Sequence, residues 1–113
     1  MKSTTVVSTL VLAGIFAMST PALAQDAAAA EALAKKEGCF KCHAMDKKKE
    51  AKSMKELAKK YAGKPDAEAK ILAQITEGPK VKNAEGVEEE HKAVKTKDKA
   101  ELSNMIKWIL SLK

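Results

Sequence analysis

The sequence contains no arginine, and aromatic residues make up only 4% of it. Proteins that bind nucleic acids use arginine for bidentate contacts with phosphate or guanine and aromatic side chains to stack on bases. The formal net charge of +6 comes from lysine alone. We therefore do not expect nucleic acid as a partner, and we interpret the lysines as a surface that attracts acidic patches on partner proteins.

Cysteine is also scarce, since only Cys39 and Cys42 are present. Two cysteines so close in sequence cannot build a framework of disulfides that closes long loops. A domain of this length buries a small share of its surface and usually needs an additional source of stability. A bound cofactor is the remaining common solution, because a ligand that binds only the folded chain stabilises it.

Long hydrophobic runs are missing as well. The apolar stretch at residues 6–18 is shorter than the roughly 20 residues that span a bilayer. It follows Lys2 and precedes small residues at Ala22 and Ala24, the pattern of a secretory signal. We expect residues 1–24 to be a signal peptide cleaved near Ala24, and residues 25–113 to form one periplasmic, monomeric domain that is not integral to the membrane.

The rest of the sequence has helical periodicity and no strand signal. Capping residues and glycine or proline stops predict helices at residues 27–36, from about 50 to 62, and at 67–77. A last helix is expected after Thr96, where an apolar stripe recurs at Leu102, Met105, Ile106, Ile109 and Leu110. Residues 78–95 have no sustained period and are expected to form a long loop. The pattern predicts an all-α fold of about four helices.

Residues 39–43, Cys-Phe-Lys-Cys-His, form the attachment signature of a c-type haem. The two thiols have the spacing that meets the two haem vinyl groups, and the adjacent imidazole of His43 reaches the iron. A zinc site is a weaker interpretation, because it would need four protein ligands and only His91 is left to add. A disulfide or a thioredoxin-like redox pair would also use both cysteines, but a thioredoxin-like pair belongs beside a strand–helix unit.

Three segments, residues 38–48, 59–63 and 105–113, resemble the small bacterial class I cytochromes c. The resemblance covers nearly the whole chain after residue 24. It implies an all-helical cytochrome c fold around one covalently bound haem, with the first and last helices packed together. It also implies that Cys39 and Cys42 bind the porphyrin and that His43 is the proximal iron ligand.

The sequence departs from this family at two places. The family usually has a glycine–proline pair after the motif, whose backbone carbonyl orients the proximal histidine, but the matching positions are Ala51 and Lys52. The family also supplies a distal methionine from the loop before the last helix, and this loop contains none.

The methionines that follow the signal segment have other expected places. Met45 is too close to His43 in sequence to reach the opposite face of the haem. Met54 and Met105 lie on apolar helical stripes, where the flexible thioether usually fills the core.

His91 therefore becomes the candidate for the distal iron ligand, because it lies in the loop that usually carries this ligand and imidazole binds iron well. An open iron position is also compatible with the sequence, as is ligation by a lysine such as Lys92 or Lys95.

The function favoured by these features is electron transfer without catalysis, since a haem held by two protein ligands changes oxidation state with little rearrangement. No acid, base or substrate pocket in the sequence points to an enzyme. A second hypothesis is a haem protein with an open or labile sixth position that binds nitric oxide or carbon monoxide, or reacts with peroxide. A third is an exported helical protein without haem.

We predict that the exported protein carries one covalent haem. Cys39→Ala or Cys42→Ala should weaken its attachment, and His43→Ala should prevent normal maturation or ligation, because each change removes one group of the motif. Extraction with acid and organic solvent measures attachment, since it removes only haem that is not covalently bound. Loss of all haem from the wild-type protein would contradict the prediction.

Overall fold

The computed structural model describes residue 14 and residues 26–113, so the expected signal peptide at 1–24 lies outside the described residues except for Gly14. The described structure contains four α-helices, which confirms the predicted helical class. In chain order the elements are α1 (Ala27–Lys36), a 3-10 turn (Cys39–Lys41), α2 (Met54–Tyr61), α3 (Ala67–Glu77), β1 (Lys80–Lys82), β2 (Glu88–Glu90) and α4 (Lys99–Ser111).

Helices α1, α2 and α4 begin where a side chain accepts hydrogen bonds from the first free backbone N–H groups, whereas Asp66 at the start of α3 makes no such bond. Ser53 and Glu56 form a reciprocal capping box at the start of α2, so this helix begins later than the predicted residue 50. Asp98, rather than the predicted Thr96, caps α4 by accepting from two backbone N–H groups. The hydroxyl of Thr96 instead donates to Glu101 and accepts from the backbone N–H of Asp98.

The prediction of a long loop without strands at residues 78–95 was wrong, because β1 and β2 form a short antiparallel hairpin there. Each strand has only three residues, which is too few for a period-two pattern to be recognised. Pairing is favoured by opposite charges across the strands, including an ion pair of 3.5 Å between Lys80 and Glu88. In the connecting turn, the side-chain Oδ1 of Asn83 accepts hydrogen bonds from two backbone N–H groups.

Helix α4 organises the core, because α1, α2 and α3 all contact it. Its apolar stripe is buried at Leu102, Met105, Ile106, Trp108 and Ile109. The start of α1 is also tied to α4 by two hydrogen bonds between the Asn104 amide and the backbone of Asp26, at 2.8 and 2.9 Å. The expected packing of the first and last helices is confirmed.

Met54 and Met105 lie in this core and are almost completely buried, as their helical spacing predicted. Met45 is partly buried against the same cluster. Within residue 14 and residues 26–113, we find no helix with the length and apolar character needed to cross a membrane.

Candidate haem-binding site

A cavity of about 650 Å³ lies between α4 and the segments that carry the cysteine motif and the hairpin. Its volume is within the range of about 300–1,000 Å³ that is common for small-molecule and cofactor pockets. The cavity wall includes Cys39, Cys42, His43 and His91. Much of its remaining lining is aliphatic or thioether surface, from Met54, Leu57, Ile71, Ile75, Met105 and Ile109.

The cysteine motif lies immediately after the end of α1. Gly38 has a φ of +78° and turns the chain out of the helix, a conformation that glycine adopts without steric cost. The following 3-10 turn is closed by a hydrogen bond of 3.0 Å from the backbone N–H of His43 to the carbonyl of Cys39. This turn brings both thiols and the imidazole to the same cavity, so the local spacing of the motif is also a spatial cluster.

Cys39 and Cys42 do not form a disulfide with each other. Burial raises the pKa of the Cys39 thiol, and the nearby charge of Glu37 raises this pKa further. Among the residues that the structure describes, no three histidine, cysteine, aspartate or glutamate side chains converge in the arrangement that holds a bare metal ion. The grouping expected for a zinc site is thus not found in this part of the chain.

The ring of His43 is oriented by a hydrogen bond of 2.6 Å between its Nδ1 and the backbone carbonyl of Lys52. With Nδ1 as the donor, Nε2 is the nitrogen left to bind a metal. The segment that provides this carbonyl is held by hydrogen bonds from Ala51 N–H to Cys42 and from Met54 N–H to Ala44. The acceptor belongs to the backbone, so the orienting bond does not require a particular side chain at residue 52.

His91 follows β2 directly and lines the same cavity as His43. Its backbone N–H donates to the carbonyl of Pro79 at 2.9 Å, and its Nδ1 lies 3.0 Å from the carbonyl of Lys92. The ring centroids of His43 and His91 are 6.2 Å apart, with the ring planes tilted by 42°. Burial lowers the pKa of His91, and the neighbouring His43 lowers it further.

The separation of 6.2 Å between the two ring centroids fits a haem iron held between the rings. A metal–imidazole bond of about 2.0 Å on each side, added to the distance from each nitrogen to its ring centre, separates two such centroids by roughly 6 Å. The two lysines considered as distal ligands are both exposed, but Lys92 lines the cavity and Lys95 does not. The donor set, the cavity volume and the apolar lining are together compatible with a haem.

Two residues that the sequence patterns did not reveal also shape the site. Glu37 is buried at the end of α1 and lines the cavity. The signal that could have found it is an acidic residue at a helix C-terminus, where the helix dipole disfavours negative charge. Gly78 lies so close to the backbone of His91 that an added Cβ would be 2.8 Å from the His91 carbonyl oxygen.

Comparisons with known proteins identify similar proteins that are cytochromes c. The cytochrome c family model matches residues 27–113. Cytochrome c2 of Rhodocyclus tenuis is 37% identical over 83 residues, which are 73% of this chain and 90% of the relative.

Two solved structures are also similar to this chain. The class 1 cytochrome MtoD of Sideroxydans lithotrophicus ES-1 superposes with a TM-score of 0.75 at 48% identity, covering 79% of this chain and 98% of that one. Cytochrome c552 of Nitrosomonas europaea superposes with a TM-score of 0.59 at 29% identity, covering 74% and 99% of the respective chains.

The contact between Gly78 and His91 yields a prediction with a matched control. Gly78 and Gly86 both have positive φ, so alanine at either position should cost about 1–2 kcal/mol of stability. Only at Gly78 does the new Cβ meet a neighbouring backbone atom, which should add roughly 1–3 kcal/mol through overpacking. Chemical denaturation measures both costs, and equal losses for the two variants would show that the His91 backbone moves aside freely.

Proposed function

Because this chain belongs to the cytochrome c family, we propose that Cys39 and Cys42 hold its haem covalently and that His43 and His91 are the two axial ligands of the iron. The protein is an electron carrier with one covalently bound c-type haem. The ligand assignment is supported above all by the 6.2 Å separation of the two imidazole rings across the cavity.

The bound haem supplies a one-electron couple between ferric and ferrous iron. The chain's own contribution is to orient and shield it. The carbonyl of Lys52 selects the tautomer and orientation of His43, which also makes the imidazole a more basic ligand. The buried thioethers of Met54 and Met105 help to exclude water from the cavity, so little solvent has to reorganise when the oxidation state changes.

The charges around the cavity support docking to acidic surfaces on redox partners. The charged residues of its lining are six lysines, Lys41, Lys48, Lys52, Lys60, Lys82 and Lys92, and three glutamates, Glu37, Glu89 and Glu90, so positive charge predominates. We call these six lysines the lysine collar. Their positive charge raises the rate of encounter with a negatively charged partner, and salt weakens this effect. We therefore place the docking face around the opening of the cavity.

The remaining parts of the proposal concern the setting of the protein. We propose that it acts as a monomer in the periplasm after removal of residues 1–24, which is supported by the secretory pattern of that segment. We also propose that it is not itself an enzyme, in keeping with similar proteins that are cytochromes c2 and c552.

Replacement of the distal ligand tests the assignment of His91. The wild-type ferric protein should be low-spin and six-coordinate, without the absorption band near 700 nm that we take as a rough marker of an iron–thioether bond. His91→Ala should become high-spin, or lysine-ligated at alkaline pH, and should bind carbon monoxide readily in the ferrous state. Absorption and paramagnetic-resonance spectra measure these changes.

His91→Met is the matched variant, because it exchanges one axial ligand for another. A thioether favours ferrous iron relative to an imidazole, so the reduction potential should rise, on the order of 0.1 V within the span of about 0.8 V that axial ligands cover. Unchanged spectra and potential in both variants would show that His91 is only a loop residue. A wild-type protein that is already high-spin would instead favour a haem with an open sixth position.

The lysine collar predicts opposite effects on oppositely charged oxidants. Lys48→Gln should slow reaction of the ferrous protein with hexacyanoferrate(III) and speed reaction with a cationic cobalt(III) complex. Both effects should fade above roughly 0.1 M salt, where the Debye length is about 10 Å. Lys107→Gln is the control, since Lys107 is exposed on α4 and does not line the cavity. Stopped-flow rates that do not change with ionic strength would contradict this docking face. Equal rate changes in Lys48→Gln and Lys107→Gln would contradict it as well.

A further inference from the structure

Glu37 is an unusual residue in this structure because it is a buried carboxylate without a cationic partner. Its exposed fraction is 4%, and Ser53 is the other buried polar residue of the described chain. None of the four ion pairs formed among the described residues involves Glu37. A charged group is costly to bury unless hydrogen bonds compensate it, so its contacts indicate why it is there.

Both carboxylate oxygens of Glu37 accept hydrogen bonds from one distant piece of backbone. Oε2 accepts from the N–H of Lys95 at 2.7 Å, and Oε1 accepts from the N–H of Thr96 at 3.3 Å. These donors are 58 and 59 residues further along the chain. Hydrogen bonds to a charged acceptor are stronger than neutral ones, so Glu37 joins the start of the cysteine motif to the segment just before α4.

Helix stability does not explain a glutamate at this position. Glu37 is the C-terminal cap residue of α1, where the carbonyl end of the helix dipole repels a negative charge. The two lysines in the last turn of α1 have the charge that the dipole favours. The placement of Glu37 is therefore better explained by the segment that it holds than by the helix that it ends.

The segment held by Glu37 begins with His91. Between His91 and Lys95, the buried residue Val94 donates its N–H to the carbonyl of Ile75 at 2.8 Å. His91, Lys92 and Val94 line the cavity, and we call residues 91–96 the strap. On its other side the strap continues into β2, whose three residues are all exposed. His91 itself is held there by the hydrogen bond from its N–H to the carbonyl of Pro79. At the downstream end Glu37 accepts the last two hydrogen bonds of the segment.

We propose that Glu37 is a positioning residue that retains His91 on the iron by clamping residues 95 and 96 to the end of α1. The proposal rests on the proposed ligation by His91 and deepens it. Without the hydrogen bonds from Lys95 and Thr96 to Glu37, the strap moves away from the cavity more often. His91 then leaves the sixth coordination position of the iron more often as well.

The test uses the full protein with its haem attached and compares Glu37→Gln, Glu37→Asp and Glu37→Ala with the wild type. Glutamine keeps the size of the side chain, whereas aspartate keeps its charge but is one carbon too short to reach both N–H groups. Glu31→Gln is the control, because it removes an exposed carboxylate from the same helix. Circular dichroism and the haem content establish that each variant is folded, and Glu37→Gln decides the outcome if Glu37→Ala is not.

Two rates are measured in the ferrous proteins: carbon monoxide binding, which requires the sixth ligand to leave, and hydrogen exchange at the amides of Lys95 and Thr96. We expect both to rise about tenfold or more in all three Glu37 variants, which corresponds to about 1.4 kcal/mol or more, and to stay unchanged in Glu31→Gln. Equal acceleration by Glu37→Asp would support a loss of reach rather than of charge.

Unchanged amide exchange would overturn the clamp. Faster exchange without faster carbon monoxide binding would overturn its control of the sixth ligand, as would a Glu37→Asp variant that behaves like the wild type. A different result would contradict ligation by His91 itself. If the wild-type protein binds carbon monoxide as fast as His91→Ala, His91 is not an iron ligand. The proposed role of Glu37 is then wrong as well.

Discussion

A cavity in the middle of a very small domain is the constraint on which the rest of this structure depends. A chain of this length has little apolar surface to bury, and part of it lines a space of about 650 Å³ instead of packing against other side chains. The apolar faces of α2, α3 and α4 therefore make only part of the core. The haem proposed to lie in this cavity would complete the core, and its binding would contribute to folding because the folded chain is the form that encloses it.

The backbone, more than the side chains, positions the groups around this cavity. The carbonyl of Lys52 orients His43, and the carbonyl of Pro79 holds the N–H of His91. A backbone acceptor is present whatever the side chain is, so the hydrogen bond to His43 does not depend on the side chain of residue 52. Side-chain identity matters where a donor has no backbone acceptor in reach, as at the two N–H groups that Glu37 satisfies.

The two sides of the proposed haem site differ in how firmly they are built. The proximal side is local, since Cys39, Cys42 and His43 share one turn that follows directly from α1. The distal side depends on residues 78–96, which contain a hairpin of two three-residue strands and little buried surface apart from Val94. Segments with few buried contacts open most easily, so the segment that carries His91 is expected to open more easily than the turn that carries the two cysteines.

The sequence by itself determined the local features of this protein. The attachment motif, the ends of α1 and α3, and the core positions of Met54 and Met105 all follow from the spacing of a few neighbouring residues. His91 could be named as a candidate because the loop before the last helix contains no methionine.

Only the tertiary structure decided the contacts between segments that are far apart in the sequence. It brought the His43 and His91 rings to 6.2 Å from each other, turned part of the expected loop into a hairpin, and joined Glu37 to Lys95 and Thr96. The physical reason is that helical periods and caps are encoded by residues within one or two turns of each other. Which distant N–H group meets a buried carboxylate depends instead on how the helices pack.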